Sequence, residues 1–110
     1  MTDELFLKHA ESIKKVNNFF IEEGIGTSHF LLLTEIVTRK IKGDDLPNIK
    51  WLQTELQISF TKVKAIVELL EKKSIIIKTK SSEDARVKFI DITEKGKKYI
   101  YQIIESLPVK

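Results

Sequence analysis

Apolar side chains recur every three or four residues through most of this chain, and only residues 75–92 break that rhythm. Phe6, Ala10, Ile13, Val16 and Phe20 trace one stripe of a helix predicted over 2–23. Leu5, Leu7, Phe19 and Ile21 widen it beyond a single stripe, as expected of a helix that packs on two partners, its own domain and a second subunit. Glu11 and Lys15 form a favourable i,i+4 pair, and Gly24-Ile25-Gly26 ends the helix. Thr27 or Ser28 is the expected cap of a second helix running to about Lys42, apolar at Phe30, Leu32, Leu33, Ile36, Val37 and Ile41. Being apolar nearly all round at its start, it is expected to be the most buried helix. Gly43 to Asn48 reads as a loop, and Ile49 to Leu56 as a short third helix with Ile49, Leu52 and Leu56 inward and Trp51 partly exposed.

The next stretch organises the rest. Ser59 is a good N-cap, and Val63, Ile66, Val67 and Leu70 recur at helical spacing through to Lys73. Off that stripe lie Phe60, Thr61, Lys62 and Lys64: a stacking group, a hydroxyl and two cations, where a recognition helix presents residues to base edges and phosphates. For Phe60 two readings stay open, a partner-facing ring or one tucked back against the preceding turn. Lys72 and Lys73 suit a solvated helix end, and Glu68 with Lys72 reads as an ordinary i,i+4 pair. Helical periodicity then gives way to a β-branched run, Ile75 to Lys80, a polar loop, Ser81 to Ala85, and a second strand-like run, Val87 to Ile92. A last helix opens at Thr93-Glu94-Lys95-Gly96, continues through Tyr99, Ile100, Ile103, Ile104 and Leu107, and stops at Pro108. The predicted fold is mainly α with a small β-hairpin, an α+β winged helix-turn-helix in one domain over 1–110.

Composition narrows the partner. The 110 residues carry a net charge of +3, unevenly spread. Residues 1–46 hold six basic against eight acidic side chains, and residues 47–110 hold thirteen against eight, so −2 faces +5. A basic half containing a helix and a hairpin is the electrostatic footprint of a nucleic-acid binder, with a lysine-rich solvated surface as the plain alternative. The wing lysines Lys78, Lys80 and Lys88, grouped with Arg86 on one hairpin, are candidates for phosphate contact. The absence of cysteine excludes disulfides, thiol redox sensing and Cys-ligated zinc. An acidic start and the lack of any apolar run near ~18 residues speak against a signal peptide or membrane span, so a cytoplasmic protein is expected.

Taken together, Ser59 to Val63, Leu70 to Lys73, Ser82-Glu83-Asp84-Ala85-Arg86 and Asp91 to Gly96 resemble the MarR/SarA family of winged-helix transcription regulators. The likeness runs along the whole chain, is strongest from about 49 to 98, and in length is nearer the single-domain staphylococcal accessory regulators. It implies a homodimer built by the helices at 1–23 and 93–107. That dimer would bind double-stranded, A·T-rich promoter DNA with a recognition helix in the major groove and a wing in the minor groove. By the resemblance, Phe60, Thr61, Lys62, Lys64 and Ala65 match the exposed recognition-helix positions and Asp84 and Arg86 the acidic-basic wing motif; Ser59, Lys78, Lys80 and Lys88 join them as DNA-binding candidates on their own chemistry. If strand pairing extends through 84–86, Asp84 and Arg86 share a face. Asp84 would then orient Arg86 toward a narrow minor groove. Ala85 departs from the family's charged middle residue. Ser74 stands where many relatives have glycine, so a left-handed cap there carries strain. Phe60 and Ala65 replace positions often polar or basic.

Enzymatic chemistry finds no foothold in the sequence. Asp44-Asp45 sits in a Gly/Pro loop, as solvated turns do, and His9 and His29 lie on different helices without metal-ligand spacing. Gly24-x-Gly26 follows a helix rather than a strand, and no nucleophile has a base beside it. No cofactor or metal is expected, and no convergent polar set identifies a small-molecule effector. The competing function is a winged-helix protein-interaction module that does not touch DNA.

Overall fold

The computed structural model describes residues 1–84 and 86–106 and, among them, five helices and one hairpin. These are α1 (Asp3–Glu23), α2 (Thr27–Lys42), α3 (Ile49–Leu56), α4 (Phe60–Lys72), β1 (Ile76–Lys80), β2 (Lys88–Ile92) and α5 (Glu94–Ser106). Ala85, Leu107 and Pro108, to which the sequence assigns a wing position and the end of the last helix, lie outside the described residues.

Helix ends follow local chemistry. The Thr2 hydroxyl accepts from the Leu5 N–H, Asn48 caps α3 by accepting from Trp51, and Ser59 caps α4 by accepting from Lys62 at 3.1 Å. Gly24 and Gly43, both left-handed, close α1 and α2. Gly26 is the N-cap of α2, so neither Thr27 nor Ser28 caps it, and its first turn lacks a side-chain cap. Gln57 adopts a left-handed conformation at the end of α3, φ 55°, to turn the chain into α4.

The core lies between α2, α3, α4, the hairpin and α5. Leu32, Leu33, Ile36, Leu52, Val63, Val67 and Ile90 are wholly removed from solvent. Burying each such aliphatic side chain contributes about 1.5–3 kcal/mol. Contrary to expectation, α4 rather than α2 buries the most side chains, four against three, because Leu31 and Ile41 of α2 face outward. Trp51 is half-buried, with the Arg39 guanidinium 3.5 Å from its ring centroid.

In the hairpin, Ile76 pairs with Ile92, Lys78 with Ile90 and Lys80 with Lys88, so one face runs from core isoleucines to a lysine tip. Asp91, on the other face, meets Lys40 of α2 at 2.9 Å, and the Ile90 N–H donates to the Pro47 carbonyl.

The junction of α4, β1 and α5 is held by Thr93. Its N–H donates to the Ile75 carbonyl at 3.1 Å, its hydroxyl lies 2.6 Å from the Ser74 carbonyl, and the same oxygen accepts the Gly96 N–H at 3.0 Å. Ser74 adopts φ 60°, the left-handed conformation expected from the sequence, which lets the Ile75 N–H reach back to the Leu70 carbonyl.

Helix α1 is different. Core packing involves only Val16, Phe19 and Phe20, while Leu5, Phe6, Leu7 and Ile13 stay exposed. The chain is accordingly elongated, 55 × 27 × 26 Å. An open cleft of about 600 Å³ runs along the α1 flank between His9, Ile13, Val16, Phe20 and Thr27. On α5, Ile103 is buried in its own domain and Tyr99 packs against that core. These two are therefore covered within the chain's own domain. The uncovered apolar residues of α5 are Tyr101 and Ile104, one helical flank away.

Candidate nucleic-acid interface

Helix α4 buries Val63, Ile66, Val67 and Leu70, which forces the opposite side of the helix into solvent. Spacing of one, four, five and eight places Phe60, Thr61, Lys64, Ala65 and Glu68 on that outward side, and all five are exposed. Phe60 is 51% exposed and takes no part in the buried core. Lys62 lies on the flank toward α2. Burial first, then the positive charges of Lys73 and Lys62, hold the His29 imidazole below its ordinary range. His29 Nδ1 is buried and has no hydrogen-bond partner among the described residues.

The sequence reading gave Glu68 an i,i+4 partner but no place on this outward face. Its expected partner Lys72 forms no ion pair with it among the described residues. Glu71 instead meets Lys78 of β1, at 3.6 Å. Lys78 is therefore occupied within the fold and stands apart from the other wing cations. Lys80 and Lys88 are directly opposite across the ladder, both exposed, and neither has an acidic partner among the described residues. Like charges directly opposite destabilise a hairpin by a few tenths to about 1 kcal/mol. Asp44, Asp45 and Glu83 line one cleft with Lys80, but among the described residues none comes within ion-pair distance of it.

At the wing tip the carboxylate of Asp84 holds Arg86 in a fork. Nε and Nη2 of Arg86 donate to Oδ1 and Oδ2 at 3.2 and 3.1 Å, and the Arg86 backbone N–H donates to Oδ1 at 3.0 Å. These bonds, the side-chain ones first, hold the Asp84 carboxyl below its usual range. Pairing ends at Lys80–Lys88, so the two residues meet through a turn, closed by Val87 N–H donating to Asp84 O, and not by sharing a strand face. Arg86 is 91% exposed, so the pair contributes little to stability and fixes the direction of the guanidinium. Its Nη1 has no partner among the described residues.

Phe60, Thr61, Lys64, Ala65 and Glu68 thus form one outward helical face, with Lys62 on its flank. Lys80, Lys88 and the Asp84–Arg86 fork form a separate basic tip. No helix among the described residues is long and apolar enough to cross a membrane. Among the same residues, no three His, Cys, Asp or Glu side chains lie together as metal ligands would.

No protein-family model matches the chain. It is 28% identical over 92 residues to the HTH-type transcriptional regulator SarZ of Staphylococcus epidermidis, a match covering 84% of this chain. The chain spans 59% of the length of that curated relative. Among solved structures it superposes on a MepR variant of S. aureus bound to an oligodeoxyribonucleotide, with a TM-score of 0.81 at 19% identity over 96% of this chain and 75% of that one. YusO of Bacillus subtilis gives 0.77 at 14% identity, covering 93% and 69%. Wild-type MarR of E. coli in its apo form gives 0.74 at 13%, covering 98% and 78%. Helix order, hairpin position and these matches agree: the chain has a winged-helix fold like that of MepR, YusO and MarR, and its sequence is similar to that of SarZ.

Proposed function

We propose that the chain is a non-enzymatic, DNA-binding transcription regulator that engages A·T-rich promoter DNA as a homodimer. The observation that carries this reading is the exposed Lys80–Lys88 pair, opposite across the ladder and without an ion-pair partner among the described residues, beside a braced Arg86. In the bound state α4 enters the major groove, with Lys62 and Lys64 near phosphates, and the wing follows the backbone so that Arg86 reaches the adjacent minor groove. Arginine suits that position because its planar, weakly hydrated cation is cheaply stripped of water. The SarZ relative and the DNA-bound MepR variant lend support.

The homodimer rests on α1. Its first thirteen residues have almost nothing to pack against, and an isolated helix of that length is marginal in water, so the exposed Leu5, Phe6, Leu7 and Ile13 favour a second copy. Two equivalent α4 helices in such a dimer lie about 34 Å apart, one turn of DNA. Fluorescence anisotropy with genomic fragments, including the region upstream of the protein's own gene, tests the reading, paired with sedimentation. Arg86→Ala leaves the melting temperature almost unchanged yet weakens binding and blunts the preference for A·T-rich over G·C-rich flanks. A monomer that binds no duplex at low salt overturns the proposal and favours the protein-interaction module.

A further inference from the structure

We infer, resting on the DNA-binding reading, that α4 selects its site chiefly through the C5-methyl groups of thymines in the major groove, met by Phe60, Thr61 and Ala65. Adenine is ordinarily read by a bidentate Asn or Gln, and guanine by Arg or Lys. Helix α4, Phe60–Lys72, contains no Asn, Gln or Arg. A·T pairs presented to this helix therefore cannot be recognised by the bidentate contact to adenine. What the outward face does offer is apolar: the Phe60 ring, the Thr61 methyl and the Ala65 methyl, all exposed and all on the side opposite the core. Those are the groups that make favourable contact with the thymine methyl, a feature that no other base presents in that groove.

The two charged residues of the face sharpen the selection. Lys64, between Phe60 and Ala65 on the helix surface, suits a phosphate or a single guanine. Glu68, unpaired among the described residues, accepts only from an amino group, such as cytosine N4, and repels phosphate. A face meant only to grip the backbone would not carry an unpaired carboxylate at its C-terminal end. With the polar contacts confined to two positions, the flanking apolar residues are left to distinguish A·T from G·C by burying methyls.

The test separates this inference from the reading beneath it. Duplexes selected from a random library by the full chain give the half-site sequence. Each thymine in the half-site is then replaced by deoxyuridine, which removes only the C5-methyl and leaves pairing and the minor groove as they were. Wild type is expected to lose about fourfold in affinity per buried methyl, from the transfer free energy of one such group, and roughly fifteenfold when both half-sites are changed. Phe60→Ala and Ala65→Ser are expected to bind the thymine and deoxyuridine duplexes nearly alike. Equal wild-type affinity for the two duplexes overturns the methyl inference while leaving DNA binding intact, and because the change is made in the DNA, this outcome holds whatever the variants do. Discrimination retained in both variants overturns the assignment to these residues. Failure to bind any duplex at low salt removes the DNA reading and the inference with it.

Discussion

Replacing Gly96 by alanine sets helix propensity against packing, and the structure decides the sign. Gly96 lies in the first turn of α5, where alanine is intrinsically favoured over glycine by about 1 kcal/mol. A Cβ built there, however, falls 2.1 Å from the Ile75 carbonyl oxygen and 2.8 Å from Ile92 Cγ1. The oxygen belongs to backbone that already receives the Thr93 N–H, so it cannot swing aside as a flexible side chain does. Relieving the clash requires α5 to move by more than an ångström relative to the α4–β1 connection. That movement strains the Thr93 contacts to Ser74, Ile75 and Gly96. Overpacking costs about 1–3 kcal/mol and each weakened hydrogen bond about 1 kcal/mol. After subtracting the propensity gain, Gly96→Ala is expected to lower stability by about 3–5 kcal/mol. Urea denaturation followed by circular dichroism reads this as a shift in midpoint at constant slope. A midpoint unchanged or raised would refute the argument, because the close approach would then be absent. Gly43→Ala provides the contrast: no atom lies within 4 Å of its Cβ, so only the left-handed backbone, about 1 kcal/mol, is at stake.

Ser74→Gly relieves a left-handed serine while keeping its carbonyl bond to Thr93, and should raise stability by about 0.5–1 kcal/mol in the same assay. DNA affinity should fall by roughly three to five decades between about 50 and 200 mM salt; Lys80→Ala should reduce the log–log slope, whereas Lys78→Ala, already paired with Glu71, should change it less. Burial holds the His29 pKa below its ordinary 6.5, so on acidification the unfolded chain takes up that proton first. Stability should therefore decline as pH falls below about 6.5, with no contribution from this group above it, and His29→Gln should flatten that part of the profile; a profile unchanged by the substitution would sink the assignment.

Local chemistry made much of the fold legible. Ser59 is a side-chain cap directly preceding a periodic apolar run, so the start of α4 stands where the sequence puts it, and α3 begins at Ile49 as its apolar spacing expects, with Asn48 the cap that the loop reading did not single out. The left-handed Ser74 was expected only through the resemblance, because many relatives carry glycine at that position. Features that depend on two distant segments left no such trace. Nothing near Lys78 announces that Glu71 will lie beside it, and the nearer helical spacing makes Glu68 with Lys72 look like the pair that forms. The Asp84–Arg86 fork was legible as a pairing but not as a geometry, because a turn and a strand can both bring residues two apart together. On α5, periodicity marked the apolar positions without revealing which flank the domain itself would cover. It took the packing of Ile103 and Tyr99 to show that Tyr101 and Ile104 remain outside.

The lysine tip of the hairpin has a consequence apart from any nucleic acid. A two-stranded ribbon leaves backbone donors and acceptors along its outer edges, a template on which another chain can add a strand. Here the Pro47 carbonyl covers the β2 edge at Ile90, close to the domain, but the ladder then runs outward to Lys80 and Lys88. Two ribbons approaching tip to tip would bring four lysines together, and that repulsion keeps the projecting strands from zippering into aggregates. Exchanging both lysines for valine or threonine would make a more stable isolated hairpin and a stickier protein, so solubility at high concentration is itself a property written into these two positions.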